Sequence, residues 1–413
     1  MTLRQSRGVR VVVAFLAIAA CLFLMQAAAR IGFSRLLTRY AVGTNSLAAA
    51  DQAIQLTPAD PDAHRARAIV LNRLHRPAEA EASLEIATRL RPAHAAQWLE
   101  LGATKEELGD NEGALAAFDR AVRYAPYYGE THWQRGNLLL RVGRYDEAFA
   151  DLRQAAASNR KFLSSVIDLA WSLTKGDANE TAALLQINND NDRLEFARFL
   201  ARKGKGKEMI EQVNLLAAPL SDQNRDELTR LAFAAGSVAD LSPLAAAGEK
   251  PGEVSNGGFE APLSNGSSLF AWKFSTAQKS PTLSLDVSEK AAGQRSLRIE
   301  FRGDWDSSVP PLDQTIVVQP RQRYRLTFAV KTKDLVTGGP PRIMVAGSAE
   351  DQVLGQSEAF PQATPSWQPM SVEFTVPEKS EAVNIILARD KCSSSPCPIF
   401  GVVWLDEFAL QKL

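Results

Sequence analysis

AAQWLELGATKEELGDNEGALAAFDRAVRYAPYY, residues 95–128, decides the fold of the larger part of this chain. Trp98, Leu101 and Gly102 fall on one helical face, Gly109-Asp110 breaks the helix, and Ala114, Phe118 and Ala121 share a face of the next helix before Pro126 ends it. Small residues at 102, 114 and 121 let two antiparallel helices approach, and Trp98 and Phe118 fill the space between them. Outward from this stretch the same step recurs. Pro58, Pro92 and Pro126 are evenly spaced, and at the same interval Gly102 returns as Gly136, Gly109 as Gly143, Ala114 as Ala148 and Ala121 as Ala155. A single helix pair cannot bury its apolar face, so neighbouring pairs stack into a superhelix.

The W-x2-L-G pattern, the later Ala, aromatic and Ala, and the closing Pro of residues 95–128 resemble the tetratricopeptide repeat. The next unit, 129–162, keeps Gly136, Gly143, Tyr145, Ala148 and Ala155, but His132 takes the first aromatic position, Trp133 moves one along, and Arg160 replaces the proline. The preceding unit, 61–94, keeps Ala80, Leu84, Ala87 and Pro92 and lacks the central glycines. Residues 45–60 read as the last helix of a degenerate unit, and helical periodicity continues to about Gly236, so helical repeats are expected over 45–236. The resemblance implies a protein-binding groove lined by the first helix of each unit. By repeat phase its positions are Arg65, Asn72, Arg73, Glu106, Trp133, Asn137 and Arg141, with Trp133 either facing the groove or replacing the missing aromatic inside. The four histidines, His64, His75, His94 and His132, lie in these repeats and read as helix-surface or interhelix residues.

Ahead of the repeats, a basic flank (1–10) precedes a stretch without a formal charge, Val11 to Ala29, which is enough for a membrane-spanning helix. Three readings compete: a retained signal anchor, which is preferred; a signal peptide cleaved after Ala27-Ala28-Ala29; and a lipoprotein signal at Cys21. Arg4, Arg7 and Arg10 on one side balance Arg30, Arg35 and Arg39 on the other, so charge does not set orientation. Cys392 and Cys397 bracket a C-S-S-S-P-C loop that is expected to close as a disulfide in an oxidising compartment, with a pair of free thiols as the alternative. The body is therefore expected outside the cytoplasm, on the periplasmic side of the inner membrane. Equal numbers of basic and acidic residues, 47 of each, give no field for recruiting nucleic acid, which is not expected as a partner.

A turn to Ala, Gly, Pro and short polar residues marks a linker over 237–255, after which the apolar period becomes two: Leu297/Ile299/Phe301, Tyr324/Leu326/Phe328/Val330 and Met370/Val372/Phe374/Val376. About nine to eleven short strands make an antiparallel β-sandwich over 256–413. The expected whole is a multidomain α and β chain: a transmembrane helix, an α-helical repeat superhelix and a jelly roll. Asn256-Gly-Gly-Phe-Glu260, Trp272, the strand Ser296–Ile299 after Ala292-Gly293, and Val403-Trp-Leu-Asp-Glu-Phe408 resemble jelly-roll carbohydrate-binding modules. That resemblance implies polysaccharide contact and a structural calcium held by Glu260 and Asp406 with carbonyls such as those of Asn256 and Gly257, the alternative being solvent-facing acids. Trp305 and Trp367 are the candidate sugar platforms, while Trp272 and Trp404, set in apolar runs, read as core.

No H-E-x-x-H, G-x-S-x-G, Walker or dinucleotide motif occurs, and Arg202–Lys207 reads as a solvated turn. The pairs Asp304/Asp306 and Glu350/Asp351 can be drawn as glycosidase carboxylates, although loops are full of such pairs. The expectation is a non-enzymatic scaffold that binds a protein through its repeats and polysaccharide through its sandwich, as an exopolysaccharide assembly or export accessory would. A purely protein-directed assembly factor and a divergent glycan-active enzyme are the alternatives.

Overall fold

The computed structural model describes residues 7–245, 249–263, 268–275, 280–303, 305, 309–348, 352–392 and 396–413. Arg4, Asp304, Asp306, Glu350 and Asp351, singled out above, lie outside the described residues, as does the centre of the loop between Cys392 and Cys397. The chain divides into two compact units, Met1–Gln186 and Ile187–Leu413.

The first unit opens with α1 (Arg7–Thr44), a single helix of 38 residues and about 57 Å. Its apolar part is long enough to cross a membrane and is not buried within the chain. Its last turns are not a tether but the first helix of the solenoid. Ser34 and Ala41 are fully buried with Leu37 beside them against α2 (Leu47–Leu56), and Ser34 Oγ donates to Ala53 O at 3.0 Å. Residues 45–60 read in sequence as the last helix of a degenerate unit, without its partner. The spacing of Ser34, Leu37 and Ala41 supplies that partner, and the three arginines around them obscured it.

Three units then repeat in register: α3 (Pro61–Arg73) with α4 (Pro77–Leu90), α5 (Ala95–Glu107) with α6 (Asn111–Tyr124), and α7 (Gly129–Arg141) with α8 (Tyr145–Ser158). The helix starts keep the period of the prolines, at Pro61, Ala95 and Gly129 for the first helix of each unit and at Pro77, Asn111 and Tyr145 for the second. Close approach explains two of the recurring glycines. A Cβ on Gly102 would stand 2.5 Å from the ring of Phe118, itself fully buried, and one on Gly136 would meet Leu152 at 3.0 Å. Gly109 and Gly143 end their helices with φ of 81° and 80°, the left-handed conformation that costs other residues energy. His75 holds the equivalent place in the first unit at φ 57°, so the turn survives where the glycine does not. Two further helices, α9 (Leu163–Leu173) and α10 (Ala178–Leu185), complete this unit.

The second unit starts with α11 (Asp190–Arg202), α12 (Gly206–Asn214) and α13 (Asp222–Ala234), directly after Gln186, which caps α10 in the left-handed conformation. Among the described residues ten strands follow: β1 (Lys273–Phe274), β2 (Thr282–Asp286), β3 (Ser296–Gly303), β4 (Leu312–Val317), β5 (Arg323–Thr337), β6 (Pro341–Gly347), β7 (Val353–Gln356), β8 (Gln368–Thr375), β9 (Ala382–Arg389) and β10 (Ile399–Lys412). They form two five-stranded antiparallel sheets, ordered β1-β4-β9-β6-β7 and β2-β3-β10-β5-β8. The core between them alternates as the sequence predicts, with Leu297, Ile299 and Phe301 facing Ile343, Val345, Ile385 and Leu387 within one cluster.

Candidate functional site

In the repeats, the chemistry begins at a recurrent ring position. His64 Nε2, Trp98 Nε1 and His132 Nε2 lie 2.9, 2.6 and 2.9 Å from the carbonyl oxygens of Pro58, Pro92 and Pro126, each six residues upstream. Histidine and tryptophan serve equally because each can present a ring N–H to a carbonyl in the turn that follows the end of the preceding helix. Two of the four histidines thus act as interior ties. His132 goes further: its Nδ1 lies 2.8 Å from Asp151, which is 4% exposed and also takes two hydrogen bonds from Arg135, at 2.5 and 2.7 Å. Arg135 reaches Asp119 as well, and its guanidinium is raised above its ordinary value, chiefly by the hydrogen bond to Asp151 working against burial. His132 therefore takes the interior aromatic position, and Trp133 lies half-buried, stacked on Phe162 with ring centroids 4.9 Å apart.

The other groove positions, Asn137 excepted, are tied to neighbouring repeats. Arg65 holds Glu100 bidentately at 2.5–3.0 Å and Arg141 pairs with Glu106, both across 35 residues. Asn72 donates to Thr104 at 2.9 Å, Arg73 to Val42 O and Asn45, and Asn137 to Trp133 O at 2.7 Å. All of these side chains but Asn137 join one repeat to the next. Among the repeats, a cluster of exposed aromatic rings lies instead at the corner between α6 and α7. There Tyr127 is 86% exposed and Tyr128 56%, with Tyr124 beside them. The paired tyrosines after Pro126 were readable in the sequence as turn residues with no core to fill.

In the sandwich, Trp305 is not the surface platform expected of a tryptophan among polar residues. It is 7% exposed, packs on Phe301 at 5.5 Å between centroids, and has the Arg389 guanidinium 5.4 Å over its ring. Arg389 also donates to Gly339 O and Thr337, and reaches Cys397 Sγ at 2.7 Å, where Cys392 and Cys397 form a disulfide with Cα atoms 5.9 Å apart. Trp367 is half-buried immediately before β8. The exposed ring at the Trp305 end is Phe400, 49% exposed, lying about 3.5 Å from where a Cβ on Gly303 would be, and paired in register with exposed Val336. Trp272 is core, stacked on Phe259. Trp404 is buried too, but on the opposite strand face from Val403 and Leu405, with Nε1 donating to Asp286 at 2.9 Å.

The outer faces of the two sheets differ. That of β2-β3-β10-β5-β8 is laced with ion pairs, Arg298–Glu300–Arg302 and Arg323 and Arg325 on Glu373. That of the other sheet carries Asp313, Thr315, Asn384 and Ile386. Thr315 donates to Asn384 at 2.9 Å, and burial pushes the Asp313 carboxyl up, countered by Lys273 at 3.9 Å. A depression of about 580 Å³ opens where β7 meets β8, lined by Gln352, Leu354, Arg323 and Glu373 among others.

Glu260 and Asp406 do come to one place, yet they hold a loop there. Between β2 and β3, three carboxylates take successive pairs of backbone amides. Asp286 accepts from Ser288 and Glu289 at 2.8 and 3.3 Å, Asp406 from Ala291 and Ala292 at 2.9 and 3.2 Å, and Glu260 from Gln294 and Arg295 at 2.7 and 3.4 Å. A bulge between Asp406 and Ala409, with Glu407 at φ 53°, turns Asp406 toward this loop. Burial pushes the Asp286 carboxyl upward, but the hydrogen bonds from Trp404 and the two amides outweigh it and hold the group below its ordinary value. Calcium needs six to eight oxygens. Here the two carboxylates face N–H groups, Arg295 also donates to Glu260 O, and among the described residues no group of three or more His, Cys, Asp or Glu side chains is placed to hold a metal ion. The arrangement fits the loop and does not fit the cation.

Residues 129–162 match the tetratricopeptide repeat family, and residues 253–393 match a carbohydrate binding domain family. Protein FlbA of Caulobacter vibrioides is 31% identical over 101 residues, which is 24% of this chain and 17% of FlbA. Among solved structures, YrrB, described as a TPR protein with an unusual peptide-binding site, is 20% identical with a TM-score of 0.32, covering 38% of this chain and 84% of YrrB. Pseudomonas aeruginosa pilF is 18% identical with a TM-score of 0.32, covering 53% of this chain and 90% of its own. The chain thus carries a tetratricopeptide repeat region and a C-terminal domain of carbohydrate-binding type, preceded by one apolar helix long enough to cross a membrane.

Proposed function

We propose that the chain is a membrane-anchored, non-enzymatic scaffold whose repeats hold a protein partner and whose sandwich contacts polysaccharide on the extracytoplasmic side, as an accessory to exopolysaccharide assembly or export. The observation that carries the reading is the match of 253–393 to a carbohydrate binding domain family on an intact two-sheet sandwich, in the same chain as protein-binding repeats. Sugar rings stack on exposed aromatic faces, and Phe400 beside Val336 is the surface that offers one. Binding of the detergent-solubilised chain to a panel of bacterial polysaccharides tests this. Retention that falls about tenfold in Phe400→Ala, with an unchanged melting curve, supports it. No retention of the folded chain on any glycan removes the polysaccharide half.

A second reading, a purely protein-directed assembly factor, is favoured by the tyrosines at the α6–α7 corner. Aromatic anchors of this kind dominate protein interfaces, and Tyr127 is almost wholly exposed. Loss of partner capture in Tyr127→Ala together with absent glycan binding would select it.

A further inference from the structure

We infer that the chain self-associates in parallel through one seam of α1, the second copy being the occupant of that seam. Val12, Phe15, Ala19, Leu22, Gln26, Ala29, Phe33, Leu36 and Tyr40 follow one another at alternating steps of three and four, the spacing that keeps a stripe facing a partner helix. All nine are exposed. The stripe is not the face that joins α1 to the repeats, since Ser34, Leu37 and Ala41 make that contact about 100° around the helix from Phe33, Leu36 and Tyr40, at about 100° per residue.

Lipid cannot cover the whole seam. From Ala29 to Tyr40 the helix rises about 16 Å along its axis, at about 1.5 Å per residue. The polar layer on each side of a bilayer is only about 5–8 Å thick. Even at a tilt of about 40° the ring stands about 12 Å out, beyond lipid, and Leu36 is at its limit. Inside the span the reverse problem arises: Gln26 is an exposed amide in the apolar stretch. A second copy answers both, because copies inserted in one direction place Gln26 against Gln26 and Phe33, Leu36 and Tyr40 against their equivalents. Side-chain amides are known to join membrane helices in this way.

Charge permits the contact. Arg30 turns away to Leu56 O, and Arg39 flanks the seam opposite Thr44 of the second copy rather than another base. The six large seam residues are each more than half exposed and offer on the order of 100 Å² apiece. That approaches the ~800 Å² per partner of a standard stable interface.

The inference rests on retention of residues 11–29 as a span. The test is oxidative cross-linking of the full chain in membranes, in a Cys21→Ala background, with single cysteines placed along α1. Phe33→Cys, Leu36→Cys and Tyr40→Cys are expected to give disulfide-linked dimers, while Arg35→Cys and Thr38→Cys are not. Gln26→Leu, carried with Leu36→Cys, is expected to weaken dimerisation roughly threefold to thirtyfold. Uniform cross-linking at all five positions, or none at the seam while intact mass shows residues 11–29 retained, overturns the dimer alone. A mature chain that begins after Ala29 overturns the anchor and the dimer together.

Discussion

Replacing Asp406 by Asn tests whether the sandwich is held by a carboxylate or by a metal. Asp406 is 1% exposed and accepts from the amides of Ala291, Ala292 and Glu407 at 2.9, 3.2 and 2.8 Å. Asparagine keeps one oxygen and puts an NH₂ where the other was, so it leaves either Glu407 or the Ala291–Ala292 pair facing a donor. A hydrogen bond to a charged group is worth about 1.5–3 kcal/mol, and an orphaned buried donor costs about 1–3 kcal/mol. The combined loss is about 2–4 kcal/mol, since the bonds share one side chain and do not add in full. For a unit of this size each kcal/mol moves the midpoint by about 2–4 °C, so the variant should melt roughly 5–15 °C lower. The assay is a thermal melt of the full chain, with hydrogen exchange at residues 288–295 reporting the loop. EDTA or millimolar calcium should leave the wild type unmoved, and the loop amides should lose protection in the variant. If calcium raises the wild-type midpoint by several degrees and the Asn variant ignores it, the carboxylate is a metal ligand and the reasoning is wrong.

Gly102→Ala should destabilise the repeats by about 1–2 kcal/mol, the overpacking of a methyl against the Phe118 ring less the helix-propensity gain. Gly136→Ala, facing the more yielding Leu152, should be near neutral, and chemical denaturation of the two variants compares them. His75→Gly should stabilise by about 0.5–1 kcal/mol by relieving a left-handed residue, read from the same denaturation curves. Asp313→Asn should raise the melting temperature at pH 7. Burial lifts the Asp313 carboxyl above its ordinary 3.8, so the native state binds its proton more tightly and stability falls as pH rises through that region. The gain should vanish below about pH 3.8, and a gain that persists at pH 3 would refute burial of charge as its cause.

The period of the helical repeats was legible because it is written along the chain in residues whose roles are local: a glycine where φ must be positive, a small residue where two helices touch. The alternation of the strands is legible for the same reason, since each side chain's face follows from its own position. What the sequence could not show depends on partners far apart. Arg65 and Arg141 read as groove ligands until Glu100 and Glu106, a full repeat away, are seen to hold them. Trp305 reads as exposed from its polar neighbours, and the arrival of Arg389 from β9 over its ring, against nearby Phe301, buries it, leaving Phe400 as the open ring. Glu260, Asp286 and Asp406 are spread from the opening of the sandwich to its last strand, and nothing local says that they divide six amides of one loop among them. A resemblance supplies the ligand that related folds hold at such a place; the donors opposite each oxygen decide whether this chain holds it. In the repeats the substitution runs the other way. His132 departs from the aromatic pattern, yet it fills the same space, meets the equivalent proline carbonyl to the one Trp98 meets, and adds a contact with buried Asp151 that a tryptophan would have left to Arg135 alone.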